Sequence, residues 1–316
     1  MSFRGVPSNR RSWIRSGLIA SVALTGCTFS ADQNYAGDDA PTVRPGDSAR
    51  KQGFGTALVL GSGGPRGFVH AGVLAALGAC APREGESHLP TLAAIQQAIA
   101  RADRSPEHYY ASKYSIEETR YWSRIAGWMV EDYIERSAER HAVHAILDIG
   151  CGYGTLLAYA SQLYGAAGTC FDIVSYLQPE VMRRYGLTFA KGSVEVNALP
   201  SGATYDVIVM TEVLEHFNFR PIPTLSKIRA SLADGGVVFL STPDAESSWG
   251  RITKYYPSLD SLPALDTTAQ WIDGHIWQYS QSELERVLAQ AGFGIRALER
   301  VNGAQGKHFN VWAVKR

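Results

Sequence analysis

The chain has 316 residues, which is enough for one large domain or two ordinary ones. It carries 30 basic and 30 acidic residues, so its formal net charge of +0 gives no global field that favours nucleic acid as a partner. The hydrophobic content of 45% is ample for a packed core, and the four cysteines form no C-x-x-C pair, so neither a zinc site nor a disulfide framework is predicted.

The first 27 residues have the pattern of an export signal. Four arginines precede a short apolar run from Gly17 to Gly26, which is too short to span a bilayer and is typical of a secretory signal peptide. The run ends in Leu24-Thr25-Gly26-Cys27, which resembles the lipobox of bacterial lipoproteins, where the cysteine is lipidated. Asn9 to Ile14 also loosely resembles a twin-arginine signal. Residues 1–27 are therefore predicted to be a lipoprotein-type signal peptide; the alternative is a chance run of small residues before a free cysteine.

Two further segments are predicted before the main domain. Residues 28–56 include a stretch rich in Asp, Pro, Gly and Ser and are expected to form a flexible tether. Residues 57–88 begin as a strand, a glycine loop and a helix, and the loop at residues 63–67 resembles the oxyanion loop of patatin-like phospholipases. A patatin also needs a G-x-S-x-G nucleophile elbow, which this chain lacks. We therefore expect a truncated patatin-like fragment, and we expect residues 1–88 to form no functional domain.

Two helices are predicted ahead of the first strand of the remaining chain. Apolar residues recur at helical spacing from Pro90 to Ala102 and from Ile116 to about Arg140. Ser115 and Glu118 have the spacing of a capping box at the start of the second helix. The region also contains an aromatic cluster whose expected role is packing, with substrate stacking as the alternative: Tyr109, Tyr110, Tyr114, Tyr121 and Trp122.

The stretch from His144 to Gly154 reads H-A-I-L-D-I-G-C-G-Y-G and predicts a strand, a tight turn and the start of a helix. Glycines permit positive φ and let a ligand approach the backbone, as in nucleotide-binding turns. The third glycine comes one residue too early for a dinucleotide fingerprint. The motif closely resembles motif I of the class I S-adenosylmethionine (SAM) dependent methyltransferases. The resemblance implies that this turn binds the cofactor through Asp148, Gly150, Cys151, Gly152 and Gly154.

The resemblance extends over about Glu107 to Arg316 and implies a fold. That fold is α/β, a Rossmann-like seven-stranded sheet with helices on both faces, and the domain is placed at residues 89–316. The strands after the first are predicted at Gly168 to Phe171, Leu187 to Ala190, Tyr205 to Met210, Gly235 to Pro243, about Ile295 to Val301, and His308 to Val314. The helices between them are predicted at Thr155 to Leu163, Ile222 to Leu232 and Gln281 to Gln290.

Further cofactor contacts follow from strand ends. Asp172 comes about twenty residues after the glycines and is placed to accept hydrogen bonds from the hydroxyls of an adenosine ribose; a helix N-cap is the alternative role. The resemblance places adenine recognition at Ser193 and Val194, although relatives usually have an aspartate where Ser193 stands. Thr211 and Glu212, after the fourth strand, are expected to border the methionine part of SAM.

The segment after the fourth strand, E-V-L-E-H, resembles that of quinone-biosynthesis and related small-molecule methyltransferases. The expected activity is therefore methyl transfer to an oxygen or nitrogen atom of a small-molecule or glycan acceptor. His216 and His275 are candidate general bases, because imidazole titrates near neutral pH; a structural role is the alternative for each. The long aromatic-rich insertion from Asp244 to Gly274 is expected to form an acceptor lid.

Other functions stay open at this stage. Glu212, Glu215, His216 and His275 resemble the metal ligands of small-RNA 2′-O-methyltransferases, in which a divalent ion would polarise a ribose hydroxyl. A non-catalytic or patatin-like envelope lipoprotein is a further alternative. The methyltransferase activity is expected in the cytoplasm, and the alternative is a lipoprotein anchored to the membrane through Cys27.

Overall fold

A computed structural model describes residues 89–105, 107–200, 204–247, 255–303 and 306–316. The predicted signal peptide, tether and patatin-like fragment lie outside the described residues. Leu89–Arg316 form one compact unit. None of the helices in the described part of the chain is both long enough and apolar enough to cross a bilayer.

The unit alternates helices and strands, as the sequence predicts. The helices are α1 (Leu92–Ala102), α2 (Ser115–Glu139), α3 (Thr155–Tyr164), α4 (Pro179–Tyr185), α5 (Pro221–Ala230) and α6 (Gln281–Gln290). The strands are β1 (Ala145–Ile149), β2 (Ala167–Asp172), β3 (Leu187–Lys191), β4 (Tyr205–Thr211), β5 (Leu232–Pro243), β6 (Phe293–Asn302) and β7 (Lys307–Lys315). Three short elements complete the order: a π-helix at Tyr110–Tyr114 and 3₁₀ turns at Leu214–His216 and Leu259–Ser261.

The seven strands form a single sheet in the order β3-β2-β1-β4-β5-β7-β6. The first five strands along the chain run parallel to one another, whereas β7 runs antiparallel between β5 and β6. The order reverses between β1 and β4, and ligands of such sheets bind at the carboxyl ends of the strands next to that reversal. The predicted Rossmann-like fold with seven strands is therefore confirmed.

Helices cover both faces because the central strands are apolar on both. The helices α5 and α6 cover one face, where Leu225 and Leu284 join a buried cluster with Leu147, Ile208 and Leu240 of the sheet. On the other face, α3 packs on β1 and β2, and α2 packs on β5, β6 and β7. The burial of both faces accounts for the nearly continuous apolar runs of β1 and β4.

Two local predictions are wrong, and one helix was not predicted. The capping box at Ser115 and Glu118 does not form, because the π-helix runs directly into α2 and the Ser115 N–H already donates within it. The predicted helix from Ile222 to Leu232 ends at Ala230, since Leu232 begins β5. The seven-residue helix α4, between β2 and β3, has no counterpart among the predicted elements.

Candidate active site

A cavity of about 350 Å³ lies at the carboxyl ends of the parallel strands. Its walls include two of the motif glycines, Gly150 and Gly152, together with Asp172 and Glu212. Residues 271–274, at the end of the long insertion, form another part of the wall. Most of the residues predicted to hold the cofactor thus meet around one space.

The glycine turn has the backbone that only glycine adopts easily. Gly150, Gly152 and Gly154 all have positive φ, at 71°, 51° and 79°. A Cβ on Gly150 would overlap Val213 Cγ2, and a Cβ on Gly154 would overlap Leu177 Cδ2. Gly150 and Gly152 line the cavity, whereas Gly154 lies behind it as the N-cap of α3. The absence of side chains therefore serves ligand approach at the first two positions and packing at the third.

Asp148 lies beneath the turn and does not reach the cavity wall among the described residues. Its side chain is buried, and its Oδ1 has no hydrogen-bond partner in the described part of the chain. Burial, and next the nearby negative charge of Asp172, raise the pKa of Asp148 well above its ordinary value. An unsatisfied buried carboxyl oxygen is costly, so a donor from a bound ligand at this position would be favourable.

Asp172 ends β2 on the cavity wall, at the position predicted for ribose recognition. Its Oδ2 accepts a hydrogen bond from the N–H of Gly152 at 3.3 Å, and its Oδ1 accepts one from the N–H of Val174 at 3.3 Å. Burial raises the pKa of Asp172, while these two hydrogen bonds oppose that rise. The carboxylate is thereby oriented by the backbone and keeps acceptor capacity for two hydroxyl groups.

Ser193 and Val194 also lie on the wall, in the turn that follows β3. The Ser193 N–H donates to Asn197 Oδ1 at 2.8 Å, and its hydroxyl oxygen accepts from the N–H of Glu195 at 3.3 Å. The turn is therefore fixed by its own hydrogen bonds. Thr211, in contrast, is buried at the end of β4 and does not line the cavity.

Glu212 occupies the wall next to Thr211 with a strained backbone. Its φ of 55° lies in the left-handed region, which is unfavourable for a side chain other than that of glycine or asparagine. Ser241 Oγ donates to Glu212 Oε1 at 2.6 Å, and His308 Nδ1 lies 2.8 Å from Glu212 Oε2. These contacts hold the carboxylate at the cavity, and strain of this kind is concentrated at functional sites.

The two candidate bases lie side by side, but of the two only His216 lines the cavity. The rings of His216 and His275 meet edge to face at 4.8 Å. Nδ1 of His216 lies 2.9 Å from the carbonyl oxygen of Gly274. Because a carbonyl can only accept, Nδ1 carries the proton, and Nε2 is left as the proton acceptor. Burial lowers the pKa of both histidines, and the neighbouring His216 lowers that of His275 further, so both rings are neutral at pH 7.

Glu215 lies behind His216 and is only 1% exposed. Thr242 Oγ1 donates to its Oε2 at 3.0 Å, while its Oε1 has no hydrogen-bond partner among the described residues and lies 3.8 Å from His216 Nε2. Burial and the charge of Glu212 raise the pKa of Glu215 well above its ordinary value. One ligand atom each from Glu215, His216 and His275 lie within 4.8 Å of one another, which is a separation compatible with a metal ion.

Cys151 corrects an expectation. The sequence predicts no disulfide framework, but Cys151 is joined to Cys170 of β2 by a disulfide, with their Cα atoms 5.6 Å apart. The two cysteines are 19 residues apart with all of α3 between them. The βαβ fold brings them together because Cys170 is the partner of Asp148 across the β1–β2 ladder.

Several residues on the cavity wall were not predicted to be there. Tyr114 was assigned to packing, yet it lines the cavity, while Tyr110 and Trp122 of the same cluster are buried as expected. Apolar residues form part of the wall after β2, namely Ile173, Val174 and Tyr176. Trp271 also lines the cavity and is 38% exposed; unlike these residues, it belongs to the aromatic-rich insertion in which the sequence predicts an acceptor lid.

Comparison with known proteins identifies the family. Residues 121–298, more than half of the 316-residue chain, match a family model described as a methyltransferase domain. The chain is 32% identical over 118 residues to the ubiquinone biosynthesis O-methyltransferase of Vibrio parahaemolyticus. This aligned region covers 35% of the chain and 48% of that relative. It is also 29% identical over 116 residues to the sphingolipid C9-methyltransferase of Candida albicans. Here the aligned region covers 33% of the chain and 22% of that relative.

The match spans about half the length of the Vibrio parahaemolyticus relative. One similar solved structure is the magnesium protoporphyrin IX methyltransferase of Synechocystis PCC 6803 with bound SAM. The aligned region covers 70% of this chain and 90% of the other, with 15% sequence identity and a TM-score of 0.45. SAM is confirmed as the predicted cofactor. The chain belongs to the methyltransferase domain family.

Proposed function

We propose that this chain transfers the methyl group of SAM to an oxygen or nitrogen atom of a small-molecule or glycan acceptor. One observation carries the proposal: the glycine turn, Asp172 and His216 all line a single cavity. A transfer reaction needs cofactor and acceptor held in line, and positioning of this kind supplies much of the rate enhancement.

The glycine turn and Asp172 fit SAM. Gly150 and Gly152 present bare backbone to the cavity, and Asp172 offers carboxylate oxygens where ribose hydroxyls are expected. When bound, SAM supplies a methyl group on a positively charged sulfur. The protein holds this group against the acceptor and excludes water from the cavity.

His216 is the general base in this proposal. Its Nδ1–H is committed to the Gly274 carbonyl, which leaves Nε2, 3.8 Å from Glu215 Oε1, as the ring nitrogen that can accept a proton. The buried ring stays neutral at pH 7, since its pKa is lowered. His275 packs edge to face against His216 and would hold the orientation of that ring.

The apolar side of the cavity bears on the acceptor. Trp271, from the long insertion, is an exposed hydrophobic residue that lines the cavity, as are Ile173, Val174 and Tyr176, which follow Asp172 along the chain. Exposed apolar patches of this kind indicate a binding surface. We therefore propose an acceptor with an apolar or aromatic portion, which is consistent with relatives named for ubiquinone biosynthesis and sphingolipid methylation.

A metal-dependent reaction is the second candidate, because Glu215, His216 and His275 bring ligand atoms together around an unpaired carboxyl oxygen. In this version, a divalent ion would replace the base by polarising the acceptor hydroxyl. The neutral chain disfavours RNA as that acceptor. Activity measured before and after EDTA treatment distinguishes the two versions.

The site of action is also a proposal. We place the methyltransferase activity in the cytoplasm, where SAM is made, and keep a lipoprotein anchored through Cys27 as the alternative. The Cys151–Cys170 bridge favours the alternative, because disulfides persist in oxidising compartments and are rare in the cytosol. A non-catalytic envelope protein would share that location but would have no need of Asp172 as a cofactor ligand.

The test uses the full chain with SAM carrying an isotopic label in its methyl group. Phenols, amines and sugars, each with and without an apolar substituent, are offered as acceptors, and label in the product is counted. Asp172→Ala should abolish transfer. Asp206→Asn is the matched control, because this carboxylate also accepts from backbone N–H groups but lies at the amino end of β4. Equal transfer by Asp172→Ala and wild type would contradict the proposal.

A further inference from the structure

The disulfide lies directly behind the cofactor end of the cavity. Cys151 stands between Gly150 and Gly152, both of which line the cavity. Cys170 lies in β2, two residues before Asp172. The bridge therefore links the turn that the cofactor must approach to the strand that carries its proposed ribose ligand.

Two hydrogen bonds run in parallel with this bridge. The N–H of Gly150 donates to the carbonyl oxygen of Phe171 at 2.9 Å, and the N–H of Gly152 donates to Asp172 Oδ2 at 3.3 Å. All of these contacts tie the turn to the end of β2. Between them they fix the distance between the glycine backbone and the Asp172 carboxylate.

Cys151 is held between two glycines in the turn. Both flanking glycines have positive φ and few conformational restrictions, so loss of the covalent link would release the turn more than it would release a regular strand. Cys151 is 7% exposed and Cys170 is fully buried, so attack by a reductant would come through the turn. A sheet of seven strands with covered faces does not need a disulfide to supply its core.

We propose that Cys151 and Cys170 form a redox-active site that controls cofactor binding. In the disulfide state the turn is pre-organised and the cavity binds SAM. In the dithiol state the turn is held only by its hydrogen bonds, and cofactor affinity falls. This inference rests on the proposed function, because it takes SAM as the ligand of the cavity.

The chemical step is thiol–disulfide exchange with a dithiol reductant. A thiolate of the reductant attacks Cys151 Sγ, the bond to Cys170 Sγ breaks, and Cys170 leaves as a thiolate that takes up a proton. The second thiolate of the reductant then displaces Cys151, which is also protonated. Two electrons and two protons pass to the protein, and the reductant leaves as its own disulfide.

The experiment titrates S-adenosylhomocysteine into the full chain in three states: as purified under air, after reduction with a small dithiol, and after re-oxidation. Peptide mapping with a thiol-alkylating reagent assigns the state of each cysteine, and circular dichroism reports the fold. We expect the affinity for S-adenosylhomocysteine to fall at least about tenfold on reduction and to return on re-oxidation, because a pre-organised turn lowers the cost of ordering the site on binding. Cys80→Ser is the matched control and should keep the full response.

A double variant, Cys151→Ser with Cys170→Ser, should bind weakly in every state. If that variant does not fold, the reversible response of the wild type carries the test alone. Equal affinity in the two states, unfolding on reduction, or a Cys151–Cys170 pair found as thiols under air would each overturn the redox-active site. A folded protein that binds no S-adenosylhomocysteine in either state would instead overturn the proposed function.

Discussion

Gly150→Ala tests the close approach at the glycine turn. The substitution should destabilise the fold in two ways, through the backbone conformation of Gly150 and through a steric overlap. A left-handed backbone with a side chain costs about 1–2 kcal/mol, because Cβ crowds the following carbonyl. The new Cβ would also overlap Val213 Cγ2, and overpacking of this kind costs about 1–3 kcal/mol. The sum is a loss of about 2–5 kcal/mol in the free energy of unfolding.

Gly165→Ala provides the comparison for the backbone cost alone. Its φ of 65° is close to the 71° of Gly150, but nothing lies within 4 Å of an added Cβ. We expect this variant to lose only about 1–2 kcal/mol. Urea unfolding of both variants measures the difference directly.

Val213→Ala completes a double-mutant cycle. Removing the Val213 methyl groups should relieve the overlap in Gly150→Ala but leave its backbone cost, so the two substitutions should couple favourably by about 1–3 kcal/mol. Equal losses in Gly150→Ala and Gly165→Ala, with no coupling to Val213, would refute the reasoning.

Three further predictions concern single side chains. Burial raises the pKa of Glu118 from its ordinary 4.5 to about 7, so between these pH values the folded state keeps a proton that the unfolded state loses. The free energy of unfolding should therefore fall by up to about 3 kcal/mol as the pH rises from about 4.5 to 7. Burial also raises the pKa of Glu195 to about 7, so Glu118→Gln should reduce the fall in urea unfolding by up to about 3 kcal/mol without removing it, while Glu117→Gln leaves it unchanged; parallel curves for all three proteins would count against the shift. His216→Gln should abolish the acid limb of the kcat/KM profile, which in wild type should lie below pH 6.5 because the His216 pKa is lowered from that value; an unchanged profile would exclude His216 as the base. Trp271→Ala should raise the KM of an apolar acceptor about tenfold and change S-adenosylhomocysteine affinity less than twofold, whereas Leu265→Ala, exposed in the same insertion, should change neither; a loss of cofactor affinity alone would place Trp271 at the wrong end of the cavity.

The sequence was sufficient for the sheet and for the position of the glycine turn. The alternation of apolar runs with helical patterns is local information, and the carboxyl ends of parallel strands converge, so Gly150, Asp172 and Glu212 were expected to meet. Short helices such as α4 lack a long enough pattern to be recognised. The predicted capping box at Ser115 and Glu118 fails for a different reason. The residues before Ser115 form a π-helix, and Glu118 instead accepts hydrogen bonds from Tyr110 and Thr155.

Contacts between distant segments were the harder part. The pairing of Cys151 with Cys170 depends on strand register, which cysteine spacing does not reveal. The position of the Glu212 carboxylate depends on contacts with Ser241 of β5 and His308 of β7. Trp271 reaches the cavity through a long insertion, and the aromatic content of that insertion was the signal that pointed to it.

The most direct test of the central claim is calorimetric titration of S-adenosylhomocysteine into the full chain. Two charge-assisted hydrogen bonds to Asp172, each contributing about 1.5–3 kcal/mol, predict that Asp172→Ala weakens binding by well over tenfold. Asp206→Asn should bind as the wild type does. If folded Asp172→Ala retains wild-type affinity, or if the wild type does not bind, the cavity at the carboxyl ends of β1 and β2 is not the cofactor site.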